Sequence, residues 1–272
     1  MTIDESKFAN KSEVIKYLVE NKQDIINIKK SALKHSDSLL LPNIKLNALK
    51  SFEYKTNDDV ASGVIRRAIV GNTYNWLDSQ GDVLMEGSGT KTLQENKQNV
   101  LHLHDHIQQL AAKVGTFVDV FEQKISWVEI GKNIAGETTA LIGLSDIKKK
   151  YNESIFNQYV DNEINQHSVG IQYVKILFAV NDPEYKEEYA NWQTYANKVA
   201  NFDELMKKGY FWPVLEYKLK EISAVIAGAN EVTPTIQPSK STNEPLNDTH
   251  KDDKYTDNEI DYNYLMSNFN LK

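Results

Sequence analysis

The chain has 272 residues, a formal net charge of −7, 40% hydrophobic and 25% charged residues, and no cysteine. This length holds one full domain with extensions, or two small domains; the missing cysteine excludes disulfides, thiolate metal sites and a cysteine nucleophile. The acid excess argues against a nucleic-acid binder acting through bulk charge, and no apolar run approaches the roughly 18 residues that span a bilayer.

Met1-Thr2-Ile3-Asp4-Glu5 lacks the basic-then-apolar pattern of an export signal, so action where the protein is made is expected. Residues 11–33 predict a helix, with a start at Ser12-Glu13 and Val14, Tyr17, Leu18, Ile25, Ile26 and Ile28 near helical spacing. Ser36 to Pro42 breaks the pattern as a linker, so 1–45 is expected to be an N-terminal helical arm. A compact core is expected over 60–231, opening with a strand at 64–71 that Gly71-Asn72 ends. A turn at Asp78-Ser79-Gln80-Gly81 leads into a short strand, and 98–104, 112–121 and 138–147 also predict strands. Asn152–Val160 predicts a short helix, 168–180 the most strand-like run, and 184–207 a helix with Tyr189, Trp192, Tyr195, Val199, Phe202 and Leu205 on one stripe. A last core strand falls between Phe211 and Ala227. Beyond Glu231, Pro234, Pro238 and Pro245 sit among polar residues, predicting a flexible tail over 232–272 that ends in an apolar patch, Tyr262 to Leu271.

Three segments carry chemistry. In Leu101-His102-Leu103-His104-Asp105-His106, an extended backbone would point all three histidines to one face and the leucines to the core. In Gln166-His167-Ser168-Val169-Gly170, Ser168 opens a strand; a serine becomes nucleophilic only with a base for its proton and donors for the resulting oxyanion. Glu221 lies in phase with Leu215, Tyr217 and Leu219, and a carboxylate on an apolar stripe needs a partner. An imidazole would satisfy it and have its tautomer fixed in return; a wet rim is the plain alternative.

His-Ser-Val-Gly-Ile at 167–171, Glu-Ile-Ser-Ala-Val-Ile-Ala-Gly-Ala-Asn at 221–230, Asp-Ser-Gln-Gly-Asp-Val at 78–83 with Gly87, and the histidine segment leading to Lys113-Val114-Gly115 together resemble tailed-bacteriophage prohead proteases. The likeness spans roughly residues 60–235. It implies an α+β, herpesvirus-protease-like fold: a β-barrel core with surrounding helices. It also implies a serine endopeptidase without cofactor or metal, with Ser168 as nucleophile, Glu221 orienting the base, and His106 as base by its spacing to Gly115. His104, followed directly by Asp105, is the alternative base. The implied partners are major capsid protein and scaffold segments cleaved inside an assembling prohead in the host cytoplasm, with no nucleic acid or membrane and a homo-oligomer allowed. Self-cleavage is expected in 232–260, since flexible polar chain enters a protease cleft readily. Two other readings stand beside this one: a metallohydrolase using His102, His104 and His106, and a non-catalytic capsid-assembly or scaffolding protein.

Overall fold

A computed structural model describes residues 4–33 and 58–236. The expected linker at 36–42, the tail beyond 236 and its terminal patch lie outside the described residues. The first predicted helix is two. In α1 (Lys11–Glu20), the Asn10 side chain caps the start by accepting from the Glu13 N–H at 3.0 Å. Asn21 ends it by donating its side-chain amide to the Tyr17 carbonyl at 2.8 Å, and α2 (Lys22–Ser31) follows. Val14, Ile15, Leu18, Ile25 and Ile26 are buried in the same apolar cluster as the strands.

The strands are β1 (Val64–Thr73), β2 (Asp82–Leu84), β3 (Leu101–His104), β4 (Lys113–Ser126), β5 (Glu137–Lys148), β6 (His167–Ile176), β7 (Ala179–Val180), β8 (Tyr210–Ala224) and β9 (Thr235–Ile236). They form one mixed sheet of nine strands, so the fold is α+β. The centre is β8. Along one edge it pairs in parallel with β2 and, further on, with β3; along the other it pairs antiparallel with β7 and β6. From β3 the sheet continues antiparallel through β4, β5, β1 and β9. Among the described residues no ladder joins the β1–β9 end to β6, so the sheet is open, where the sequence led us to expect a closed barrel. β1 nonetheless comes close to the central strand through side chains: a Cβ at Gly71 of β1 would lie 2.9 Å from the Ile222 side chain of β8.

Pro213 sits inside β8, where a proline ordinarily breaks a ladder. Its carbonyl accepts from the Leu177 N–H at 3.0 Å, at the gap where β6 ends and β7 has yet to begin, so its missing donor costs no ladder bond. The helices α3 (Thr90–Asn96), α4 (Glu153–Val160), α5 (Lys186–Tyr195) and α6 (Phe202–Lys208) cover the sheet. The predicted 184–207 helix is broken between α5 and α6 because Asn201 turns inward; its amide accepts from the Leu77 N–H at 2.8 Å and donates to the Leu77 carbonyl at 3.0 Å. The folded body extends past Glu231: Val232, Thr233 and Ile236 are buried, and β9 pairs with β1 at Ala68 and Ile69.

Candidate active site

Residues directly opposite each other on an antiparallel pair point to one face, with Cβ atoms about 4.5–5.5 Å apart. Ser168 of β6 lies opposite Ser223 of β8, and Gly170 opposite Glu221. Ser168, Ser223 and Glu221 therefore share the face that α2 and α3 partly cover; Gln172 donates to the Lys30 carbonyl at 3.4 Å, and the Thr92 hydroxyl accepts from the Leu219 N–H at 3.0 Å. The Glu221 side chain lies across the ladder toward β6. A Cβ at Gly170 would run into its carboxylate, so glycine at 170 is what makes room for it.

The histidine arrives by a turn. β3 ends at His104, and Asp105 and His106 follow with φ of 51° and 57°, in the left-handed region. This turn is pinned to the end of β8, with the Asp105 N–H donating to the Ala224 carbonyl at 2.9 Å and the His106 N–H to Ser223 Oγ at 3.2 Å. The His106 ring is thereby carried over to the Glu221 face, where Nδ1 meets Glu221 Oε1 at 2.5 Å. The Ser223 hydroxyl donates to Glu221 Oε2 at 2.6 Å, so the carboxylate, only 1% exposed, is held by a donor on each oxygen. Ser168 stands one rung across from Ser223, the residue that fixes both His106 and Glu221.

The expectation of three histidines on one face is corrected here. The strand stops before His106, and the left-handed pair reverses its side chain. His102 is buried in the interior, and Leu101, expected in the core, is 47% exposed. His104 pairs with Ala224, out of phase with Ser223 and Glu221, and its Nδ1 meets Asp105 at 2.9 Å. His106, and not His104, is the partner of Glu221. Among the described residues no group of three His, Asp or Glu side chains is placed to hold a metal ion. Ser223 is a member of the site that sequence reasoning missed; its one signal was a place two residues after Glu221 on the same strand face.

A second buried network backs the serine. His102 Nδ1 is 2.8 Å from Ser145 Oγ, and His102 Nε2 is 3.2 Å from the Tyr159 hydroxyl. That hydroxyl is 2.8 Å from His167 Nε2, and His167 Nδ1 is 3.1 Å from the Thr233 carbonyl. A carbonyl only accepts, so His167 carries its proton on Nδ1 and receives the Tyr159 hydroxyl proton at Nε2. His102 then donates from Nε2 and receives from Ser145. Every donor finds an acceptor only if both imidazoles are neutral. Burial pushes His102 well below the usual histidine range and His167 down to about 4.

A cleft of about 810 Å³ opens on the same face, bounded by Ser31, Asn96, Gln108, Gln172, Lys220 and Glu221 among others. Its lining is mostly carboxamide and hydroxyl groups, suited to hydrogen-bonding a peptide backbone. Comparison with protein-family models, curated proteins and solved structures yielded no match.

Proposed function

We propose that the chain is a serine endopeptidase using Ser168, His106 and Glu221. The observation that carries this reading is the 2.5 Å contact between His106 Nδ1 and a buried carboxylate, on the face that also bears Ser168. With Nδ1–H held by Glu221, the ring presents Nε2 as the basic nitrogen, the tautomer a general base needs. Ser168 Oγ gives its proton to Nε2 and bonds the substrate carbonyl carbon, whose π pair moves onto oxygen. Collapse of that oxyanion expels the amine, which takes the proton from the imidazolium, and water then repeats the sequence on the acyl-enzyme.

The resemblance to prohead proteases supplies the substrate class: extended segments of capsid and scaffold protein, cut inside an assembling particle. An α+β body built around a long central strand with flanking helices supports this reading, while the open sheet departs from the closed barrel that the resemblance implies. The test is co-expression with candidate capsid and scaffold proteins. Wild type should shorten them, and both Ser168→Ala and His106→Ala should leave them intact. Identical cleavage patterns for wild type and Ser168→Ala sink the assignment and favour the assembly-protein alternative.

A further inference from the structure

Acyl transfer needs donors aimed at the developing oxyanion as well as a nucleophile and a base. We infer that the side-chain amide of Asn72, with the backbone N–H of Val169, forms the oxyanion hole of this site. The inference rests on the acyl-transfer reading above and names a further catalytic group for it.

The orientation of Asn72 is fixed by its neighbours. The Val232 N–H donates to Asn230 Oδ1 at 2.9 Å, so the Asn230 nitrogen is the atom that meets the Thr73 carbonyl at 2.9 Å and Asn72 at 3.0 Å. The Asn72 atom facing that nitrogen must be its oxygen, which turns Nδ2 away. Asn72 is 4% exposed, and this Nδ2 is buried with no hydrogen-bond partner. Leaving a buried donor unmade costs about 1–3 kcal/mol, so such a group asks for an explanation.

Beside it lies a cavity of about 20 Å³, lined by Gly71, Asn72, Asp78, Ser168, Val169 and Asn230 among others. A space of roughly 10–15 Å³ already accepts one water-sized group, so an oxygen atom fits. The β1 ladder pairs Val70 with Ile142 and Asn72 with Leu141, leaving Gly71 as an extra residue. A bulge of this kind re-aims the next side chain, and such bulges favour the neighbourhood of active sites. The nearby Asp78 carboxylate accepts from the Gln80 and Asp82 N–H groups of its own turn, both at 2.9 Å.

The backbone supplies the second donor. The Val225 N–H donates to the Gln166 carbonyl across the β6–β8 ladder, so Gln166 and Ser168 turn their polar groups toward β8. His167 and Val169 then face the free edge of β6, and the His167 N–H does reach outward, to the Thr233 carbonyl at 3.1 Å. By the same alternation the Val169 N–H points to the edge where the cavity lies. A donor on the residue after the nucleophile and a second from a neighbouring strand form the usual two-point cradle for an acyl oxyanion.

The experiment uses a fluorophosphonate, whose phosphoryl oxygen takes the oxyanion position when Ser168 displaces fluoride. Its reaction with the full chain is followed by intact mass at several probe concentrations, with thermal melts alongside. Asn72→Ala and the isosteric Asn72→Asp should lower the limiting rate by roughly 10²–10³-fold with little change in the half-saturating concentration. Asn72→Asp keeps an acceptor for Asn230 but buries a charge beside Asp78, so Asn72→Ala is the primary variant, and the melting curves show at which temperature each labelled variant is folded. Rates equal to wild type in both folded variants overturn the role of Asn72 and leave Ser168 as nucleophile. A wild-type chain that forms no adduct at Ser168 overturns the nucleophile itself and, with it, the oxyanion hole.

Discussion

A methyl group at Gly170 would occupy the space of the Glu221 carboxylate. Gly170→Ala should therefore displace Glu221 from His106, cost about 1–3 kcal/mol in urea unfolding as overpacking does, and abolish Ser168 labelling. Unchanged labelling in a folded variant would show that the Glu221–His106 contact is dispensable. Glu221→Gln keeps the shape and removes the charge that holds Nδ1–H and stabilises the imidazolium. It should lower the labelling rate by roughly 10³–10⁴-fold, with the melting curve as the check on folding. The Glu221–His106 contact was legible in part because Glu221 interrupts an apolar stripe and the histidines cluster; Ser168 of the proposed site was singled out by its place at a strand start. Choosing between His104 and His106 required the left-handed turn at Asp105, which alternation along an extended strand does not foresee. Asn72 was read only as the end of a strand; what marks it is the bulge at Gly71 and the amide lock from Asn230, both set by partners far along the chain.

Between elements, α2 is tied to the sheet by an ion pair from which water is excluded. Lys29 Nζ meets Asp82 Oδ1 at 2.6 Å, with side chains 4% and 2% exposed, and the Tyr173 hydroxyl donates to Asp82 Oδ2 at 2.7 Å. The lysine also lies 5.3 Å from the centre of the Trp212 ring. Breaking one half of such a pair leaves a buried charge, so Lys29→Ala should cost about 3–5 kcal/mol in urea unfolding. Lys29→Met with Asp82→Leu should recover most of that loss, because two apolar residues replace two charges. Equal stability of Lys29→Ala and wild type would mean that α2 leaves the sheet easily. Since α2 also borders the cleft beside Glu221, loosening it should raise the fluorophosphonate labelling rate at Ser168 if the helix restricts access. Periodicity located nearly every element, but not the breaks at Asn21 and Asn201, where a side-chain amide competes for backbone groups. Nor did it find α3 (Thr90–Asn96), or β9, where Thr235 and Ile236 gain their strand only by pairing with β1.

For the molecule as a whole, acid should act through the interior before it acts through the surface. His102, Tyr159 and His167 join β3, α4 and β6, and Thr233 ties the network to the segment before β9. In the unfolded chain both imidazoles take protons near the ordinary value of about 6.5. Folded, His167 resists protonation down to about 4, and His102 is also held low, by burial and by the neighbouring His167. Between those values the unfolded state binds more protons, so stability falls as pH falls. The loss begins near pH 6.5 and, for His167, is complete near its folded value of about 4; that gap is worth on the order of 3 kcal/mol. Carboxylates with ordinary values contribute mainly below about pH 5, so the window from 6.5 to 5 carries little of their contribution. Urea midpoints across that window should decline more steeply for wild type than for a His102→Gln, His167→Gln double variant, each compared with its own value at pH 7. Tyr159→Phe removes the bridging hydroxyl and should cost about 1–3 kcal/mol at pH 7, yet keep the acid slope, because burial and not the hydroxyl is the main cause of the low values. A flat wild-type profile from 6.5 to 5 would mean that these imidazoles reach water, and the network that backs Ser168 would not exist as a closed set of hydrogen bonds.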